Sequence, residues 1–330
     1  MILVLLTLIT SSSALGGYAT ILLYHRFGDP RHPTTSVSME DFERQMAYLK
    51  RERYNVIPLS ELVEILKRGE KVPEKTVVIA IDDGYKSTMK AYRVLKKYGF
   101  PFVVFLYMEA INSYPDFLTL KDIREMESSG LAEFENHSFS HRPFGLMKDT
   151  EAFIKDLDKS EEKFKRIFHR RPKYYALPFG YYNRKVLDVL KERGYEAVFA
   201  QDPGNVGSEV DLFRVPRQAI VGSWSKMKNF KRKLRREPLP LKRIVPKWGF
   251  IEENPPNRIG AVLKNPLRYD SCRIYITELG WKSVRNIKGE VYRENLPKLK
   301  RRWNRVGVKC RNKATGMWAE SFWMIIRGDL

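Results

Sequence analysis

The sequence predicts an α/β protein: a parallel sheet that closes, or nearly closes, into a barrel, followed by a small basic β-rich or α+β extension. Three observations carry this. Short apolar runs alternate with helix-period segments through about eight repeats up to residue 221, which implies a parallel sheet with helices outside. The run Thr76–Ile81 is β-branched with no polar face, as in a strand covered on both sides. The pattern then changes at Gly222, where basic residues and prolines replace the alternation. At 330 residues and 43% hydrophobic, the chain can fill one sizeable core plus a smaller unit.

The elements follow in order. Ala19–His25 is a short apolar run, a buried first strand. Ser38 opens a helix, with Asp41 three residues on in a loose capping box and Phe42, Met46 and Leu49 on its apolar stripe. Asn55–Pro58 is a strand, and Ser60 caps a helix carrying Leu62, Ile65 and Leu66. After Thr76–Ile81 come a helix over Ser87–Tyr98, a strand at Phe102–Leu106 and a helix at Thr119–Ser128. A strand at Ala132–Asn136, a helix at Thr150–Phe168, a strand at Tyr174–Leu177 and a helix at Arg184–Arg193 continue the series. The short strand Ala197–Ala200 and the segment Leu212–Val221 end it. Residues 222–257, with the basic run Lys226–Arg236 and five prolines, read as a basic Pro-rich linker. Residues 258–330 read as a small basic module with strand-like pieces at Arg273–Thr277 and Met317–Ile326.

Charge divides the chain the same way. The net charge is +21. Residues 222–330 carry 27 Lys and Arg against 9 Asp and Glu, a net of +18, leaving only +3 for residues 1–221. Such a basic part is drawn to an anionic glycan or a membrane surface. The basic run has few interleaved aromatics and no recognisable reader motif, so no specific nucleic-acid partner is expected. Cys272 and Cys310 are the only cysteines. Two thiolates cannot complete a zinc site alone; they are one disulfide or two buried small residues. The apolar run Ile2–Ile9 is too short to span a bilayer, and Ser12-Ser13-Ala14 fits a small-x-small cleavage site. Residues 1–14 therefore read as a signal peptide and the protein as exported: periplasmic, in the cell envelope or secreted.

In parallel α/β architectures the reactive groups sit at the C-terminal ends of strands. The run at Thr76 ends in Asp82-Asp83-Gly84-Tyr85. Adjacent carboxylates after an apolar run are costly to leave unpaired; one can hold a metal while its neighbour acts on water. The strand at Ala132 leads into His137-Ser138-Phe139-Ser140-His141, two imidazoles at ligand spacing in a chain with five histidines. Asp83, His137 and His141 would make three protein ligands with positions left open, the pattern of a catalytic metal site. The strand at Tyr174 ends in Leu177-Pro178-Phe179-Gly180-Tyr181, a turn able to aim backbone N–H groups and aromatic rings into the site. His32 and His169 lie in polar, basic contexts and read as surface residues.

In this order, Asp82-Asp83-Gly84, His137-x3-His141 and Leu177-Pro178-Phe179-Gly180 resemble the polysaccharide deacetylases with a NodB homology domain, carbohydrate esterase family 4. Leu23-Tyr24-His25 and the lead-in through Met39–Leu66 look like the branch acting on poly-N-acetylglucosamine. The match covers about residues 18–221, so the barrel is expected over 15–221. The resemblance implies a distorted (β/α)7 barrel. It implies a divalent metal, usually zinc, with Co2+, Ni2+ or Fe2+ as alternatives, on Asp83, His137 and His141. It implies Asp82 as general base, with metal-activated water attacking an acetamide to give acetate and a free amine on an N-acetylated polysaccharide: poly-N-acetylglucosamine, a chitin-like polymer or peptidoglycan. The Phe179 N–H would stabilise the oxyanion. Tyr85, Pro178, Phe179 and Tyr181 would line the substrate.

Two departures from the family stand out. Ala176 occupies the position where the family often has an arginine that orients the base; Arg214 or Arg217 are the candidates to replace it. The family's late Leu-x-Leu-His motif is absent, and His25 or Asp82 itself is left to protonate the leaving amine. The same departures motivate a second reading, a catalytically weakened glycan-binding protein on a deacetylase barrel.

Overall fold

A computed structural model describes residues 17–328. The segment read as a signal peptide lies outside the described residues. The first two thirds form strands β1 (Ala19–Tyr24), β2 (Thr76–Asp83), β3 (Phe102–Leu106), β4 (Ala132–Asn136), β5 (Tyr174–Ala176), β6 (Ala197–Phe199) and β7 (Gln218–Ala219). They pair in parallel in the order β7-β1-β2-β3-β4-β5-β6, with the two-residue strand Asn55–Val56 on the start of β2. The sheet curls into a distorted (β/α)7 barrel, as expected. Its helices are α1 (Met39–Arg51), α2 (Leu59–Lys67), α3 (Thr88–Tyr98), α4 (Leu120–Glu127), α5 (Glu151–Phe168) and α6 (Arg184–Glu192).

Local signals set the helix starts. Ser38 accepts from the Asp41 N–H at the start of α1. Thr119 and Asp122 form a reciprocal capping box on α4. Asn183 accepts from the Val186 N–H on α6. At α2 the cap is Pro58, whose side chain accepts nothing. Ser60 lies inside that helix, and its N–H and hydroxyl are taken by Glu133 instead.

The sheet splits the apolar residues between two cores. Val77, Ile79 and Ile81 of β2 pack on the helix side, whereas Val78 and Ala80 fill the barrel interior with Val103, Phe105, Ala176 and Phe199. Register brings the strand ends level. Asp83 pairs with Leu106, Leu106 with Asn136 and Asn136 with Tyr175. Tyr24 pairs with Ile81, so His25 is level with Asp82. Residues separated by more than 100 positions thus share one rim.

The segment expected as a linker is folded onto this barrel. Its basic run forms helix α7 (Met227–Leu234), with Phe230 and Leu234 in the helix-side core, Lys228, Lys231 and Arg232 outward, and Lys233 turned in to donate to the Ala219 carbonyl. The rest contributes β8 (Glu237–Pro238), β9 (Leu241–Val245) and β10 (Gly249–Ile251). These join β11 (Arg258–Leu263), β12 (Tyr269–Ile276), β13 (Gly280–Ser283), β14 (Glu290–Glu294), β15 (Trp303–Asn312) and β16 (Trp318–Arg327). One sheet runs β8-β16-β15-β12-β13, with β10 also on β16, and a smaller one runs β9-β11-β14. The prolines interrupt strands rather than prevent them, since each piece needs only a short ladder. Cys272 and Cys310 are disulfide-bonded across β12 and β15. The module shares a core with the barrel: Met324 and Ile326 of β16 pack among Phe144, Tyr182 and Leu190. No helix among the described residues is long and apolar enough to cross a membrane.

Candidate active site

By strand alternation Asp82 faces the barrel interior and Asp83 the helices. Asp83, however, has φ +72°, a left-handed conformation that breaks the alternation and turns its carboxylate back to the rim. Gly84 follows at φ +74°, and a Cβ there would lie 2.8 Å from Leu106. Ser138, His141 and Phe179 also have positive φ. Four non-glycine residues in this sparsely populated region at one barrel mouth mark a backbone held in place by its surroundings.

The three expected metal ligands converge. Asp83 Oδ1 lies 3.2 Å from His137 Nε2 and 3.1 Å from His141 Nε2. Asp83 Oδ1 and His137 Nε2 are buried without a hydrogen-bond partner, an expensive state for two polar atoms unless something else satisfies them. Ligand bonds of about 2.0–2.1 Å at tetrahedral angles set donors roughly 3.3 Å apart, so the spacing suits a cation such as zinc. The donor set of one carboxylate and two imidazoles, with no fourth protein ligand among the described residues, fits a catalytic rather than a closed structural site.

Neighbouring residues fix these ligands. His137 Nδ1 pairs with the Ala176 carbonyl at 2.8 Å, which points Nε2 at Asp83. Asp156, reaching in from α5, accepts from Ser138 Oγ at 2.7 Å, Phe139 N at 2.9 Å and Ser140 N at 2.8 Å, and also from the Ser140 hydroxyl. One carboxylate thereby ties down the loop between the two histidines. Asn136 accepts from Ser138 N and donates to Ser160 and Tyr195. Nothing local in the sequence marked Asp156, a polar position in an amphipathic helix 15 residues past His141.

Asp82 is fully buried and held by Arg217, also fully buried, through Nη1–Oδ1 at 2.7 Å and Nη2–Oδ2 at 2.8 Å. Arg217 Nε is spent on the Ala200 carbonyl. Of the two arginines considered for Ala176's missing partner, Arg217 makes the contact; Arg214 pairs with Asp211 and stacks on Trp248. Burial pushes the Asp82 carboxyl up, but Arg217 and then His137 outweigh it and leave it below the ordinary range. For Asp83 burial is likewise opposed by His137 and His141, and the carboxyl ends well below that range. His25 lies in the same pocket: burial lowers its pKa, with Asp83 and Asp82 pulling the other way, and its Nδ1 has no hydrogen-bond partner.

The expected substrate wall is divided. Phe179 is 43% exposed and Tyr181 half-buried, their rings stacked at 5.7 Å, with Phe179 4.7 Å from the His141 ring. Pro178 is buried and offers the turn its shape rather than a surface. Tyr85 lies beneath Arg26, whose guanidinium is 3.4 Å from the ring centre. His32 and His169 are exposed, as expected. A cleft of about 1210 Å³ lies elsewhere, between the barrel and the C-terminal sheets, and is lined by none of Asp82, Asp83, His137, His141, Arg217, Phe179 or Tyr181. The site is an open rim.

Comparisons with known proteins bear on the family and the fold. A family model described as polysaccharide deacetylase matches residues 69–198. The poly-beta-1,6-N-acetyl-D-glucosamine N-deacetylase of Staphylococcus aureus is 32% identical over 197 residues, covering 56% of this chain and 68% of that protein. Among solved structures, the Streptococcus pyogenes deacetylase PplD in complex with acetate superposes with a TM-score of 0.60 at 21% identity, covering 67% of this chain and 99% of that one. IcaB from Ammonifex degensii gives 0.58 at 24% identity, covering 65% and 97%. The fold and the rim define a hydrolase on a distorted α/β barrel. The chain belongs to the polysaccharide deacetylases, hydrolases of N-acetyl amide bonds.

Proposed function

We propose that this deacetylase removes N-acetyl groups from an amino-sugar polymer, with poly-β-1,6-N-acetylglucosamine the leading substrate, using a divalent metal on Asp83, His137 and His141. The substrate rests on the Staphylococcus aureus relative's name and on the Leu23-Tyr24-His25 lead-in. The observation that carries the metal is the buried, unpartnered Asp83 Oδ1 between two imidazole nitrogens. Bound there, the ion supplies Lewis acidity that activates water and polarises a carbonyl, and zinc is the ion the ligand set suits best.

Asp82 takes the proton from the attacking water. Each of its oxygens accepts one Arg217 N–H and keeps a second lone pair. Arg217 lowers the basicity of Asp82 and in return keeps it ionised and aimed. The Phe179 N–H, presented by a residue at φ +59°, donates to the oxygen of the tetrahedral centre. The departing nitrogen takes its proton from Asp82 or through His25, and the C–N bond breaks to give acetate and the free amine. Arg217 supplies the charge that Ala176 lacks, which favours catalysis over the binding-only reading.

We extend the proposal to export and organisation. The Cys272–Cys310 disulfide suits an oxidising compartment. The barrel over 15–221 is the catalytic unit and 222–330 an appended basic unit that an anionic glycan or membrane surface would attract. The test is Asp82→Asn: acetate release from poly-β-1,6-N-acetylglucosamine falls below about 1% of wild type while bound metal stays at the wild-type amount. Retained activity refutes the base assignment.

A further inference from the structure

The C-terminal module comes to the rim. Trp303, the first residue of β15, lies half-buried with its ring 5.0 Å from that of Tyr181. From the ligand His141 the rings therefore continue without a gap through Phe179 and Tyr181 to Trp303, at centroid spacings of 4.7, 5.7 and 5.0 Å. Phe179 is exposed and Tyr181 and Trp303 are half-buried, so the row keeps contiguous ring surface open to a ligand. Arg305, two residues along β15, fixes the row. Its Nε donates to Asp202 Oδ1 at 3.1 Å, its Nη2 donates to the Phe179 carbonyl at 3.3 Å, and its guanidinium sits 5.5 Å from the Trp303 ring. Asp202 also accepts from the Tyr182 hydroxyl at 2.6 Å, and that hydroxyl accepts from Met324 N at 2.9 Å. Barrel and module are thus joined by a polar network at the edge of the aromatic row.

We propose that Trp303 and Tyr181 form a sugar subsite supplied jointly by the module and the barrel, which takes a residue of the amino-sugar chain beyond the one deacetylated. This rests on the deacetylase reading above. Sugar rings present apolar C–H faces that stack on aromatic side chains, while the amide being cleaved lies at the ligand end of the row. Arg305 is a positioning residue: it holds the Phe179 turn and the Trp303 ring in one arrangement. The module thereby sets a preference for long chains over short ones.

The test compares β-1,6-linked N-acetylglucosamine dimer and pentamer on the full chain loaded with metal. Trp303→Ala lowers the pentamer-to-dimer ratio of kcat/KM by about 5–30-fold, through KM, as for a truncated aromatic anchor. Trp303→Phe restores most of the ratio. Calorimetry on Asp82→Asn protein shows the same weakening of pentamer binding when Trp303→Ala is added. Arg305→Ala lowers kcat as well, and Arg305→Lys recovers part of it. A ratio that does not move, or equal losses on dimer and pentamer, overturns the subsite. Trp303-dependent pentamer binding without any acetate release supports the subsite and refutes the deacetylase reading instead.

Discussion

Removing Arg217 is the most informative single perturbation of the site. Its guanidinium makes two charge-assisted hydrogen bonds to Asp82, at 2.7 and 2.8 Å, and a third to the Ala200 carbonyl, all at zero exposure. Arg217→Met keeps much of the volume and removes the charge. Asp82 is then a buried carboxylate without its main counter-charge, and breaking such a pair costs about 3–5 kcal/mol. Part of that cost is relieved by protonation: burial already pushes Asp82 up, and Arg217 is the largest opposing influence. The base is then partly protonated at neutral pH and loses its fixed direction. Together these lower kcat by about 10²–10³-fold, at the scale of losing a positioned base. Arg217→Lys keeps a charge but cannot form the fork, and falls between the two. Adding Asp82→Asn to Arg217→Met removes the stranded charge and recovers part of the stability, a positive coupling in a double-mutant cycle. Urea unfolding at pH 7 gives the stability and acetate release gives the rate. If Arg217→Met stays within about 0.5 kcal/mol and twofold of wild type, the buried pair does not set the state of the base.

Two further outcomes follow from the same geometry. Asp156→Ala frees the Ser138–Ser140 loop and weakens divalent-metal affinity about 10–100-fold, measured by competition with a chelator, as for loss of an outer-shell partner. Glu135 is a buried residue of β4, and burial pushes its carboxyl up from 4.5 to about 7 despite Arg170. The folded protein therefore holds this proton after the unfolded chain has released it. The contribution to stability is complete below about pH 4.5 and is lost as pH rises toward 7. Glu135→Gln should flatten that slope in urea midpoints taken from pH 4.5 to 8, and an unchanged slope would assign it to other groups.

Much of the barrel and site was legible because its chemistry lies in contiguous motifs at strand ends. Asp82-Asp83, His137-x3-His141 and Pro178-Phe179-Gly180 each follow a strand, though the one before His137 is half polar, and level register does the rest. The choice between Arg214 and Arg217 was open on proximity alone. Parity resolves it: Val215 faces the interior core, and Arg217 shares its side of the chain. Asp156 was hidden because its role depends on how α5 packs over β4, which no local pattern encodes. β15 did carry a signal: Val306, Val308 and Cys310 alternate with Arg305, Lys309 and Arg311. The density of basic residues there masked the period, and with it Trp303 and Arg305. At α2, Pro58 already fixes the entry to the helix, so Ser60 had no cap to make.

The measurement that bears most directly on the account is metal content taken together with acetate release on the same preparation. About one divalent ion per chain is expected. Acetate release from poly-β-1,6-N-acetylglucosamine should vanish on chelation and return with zinc or another divalent ion. His141→Ala should lose both the ion and the activity. Undiminished acetate release from protein stripped of metal would contradict it.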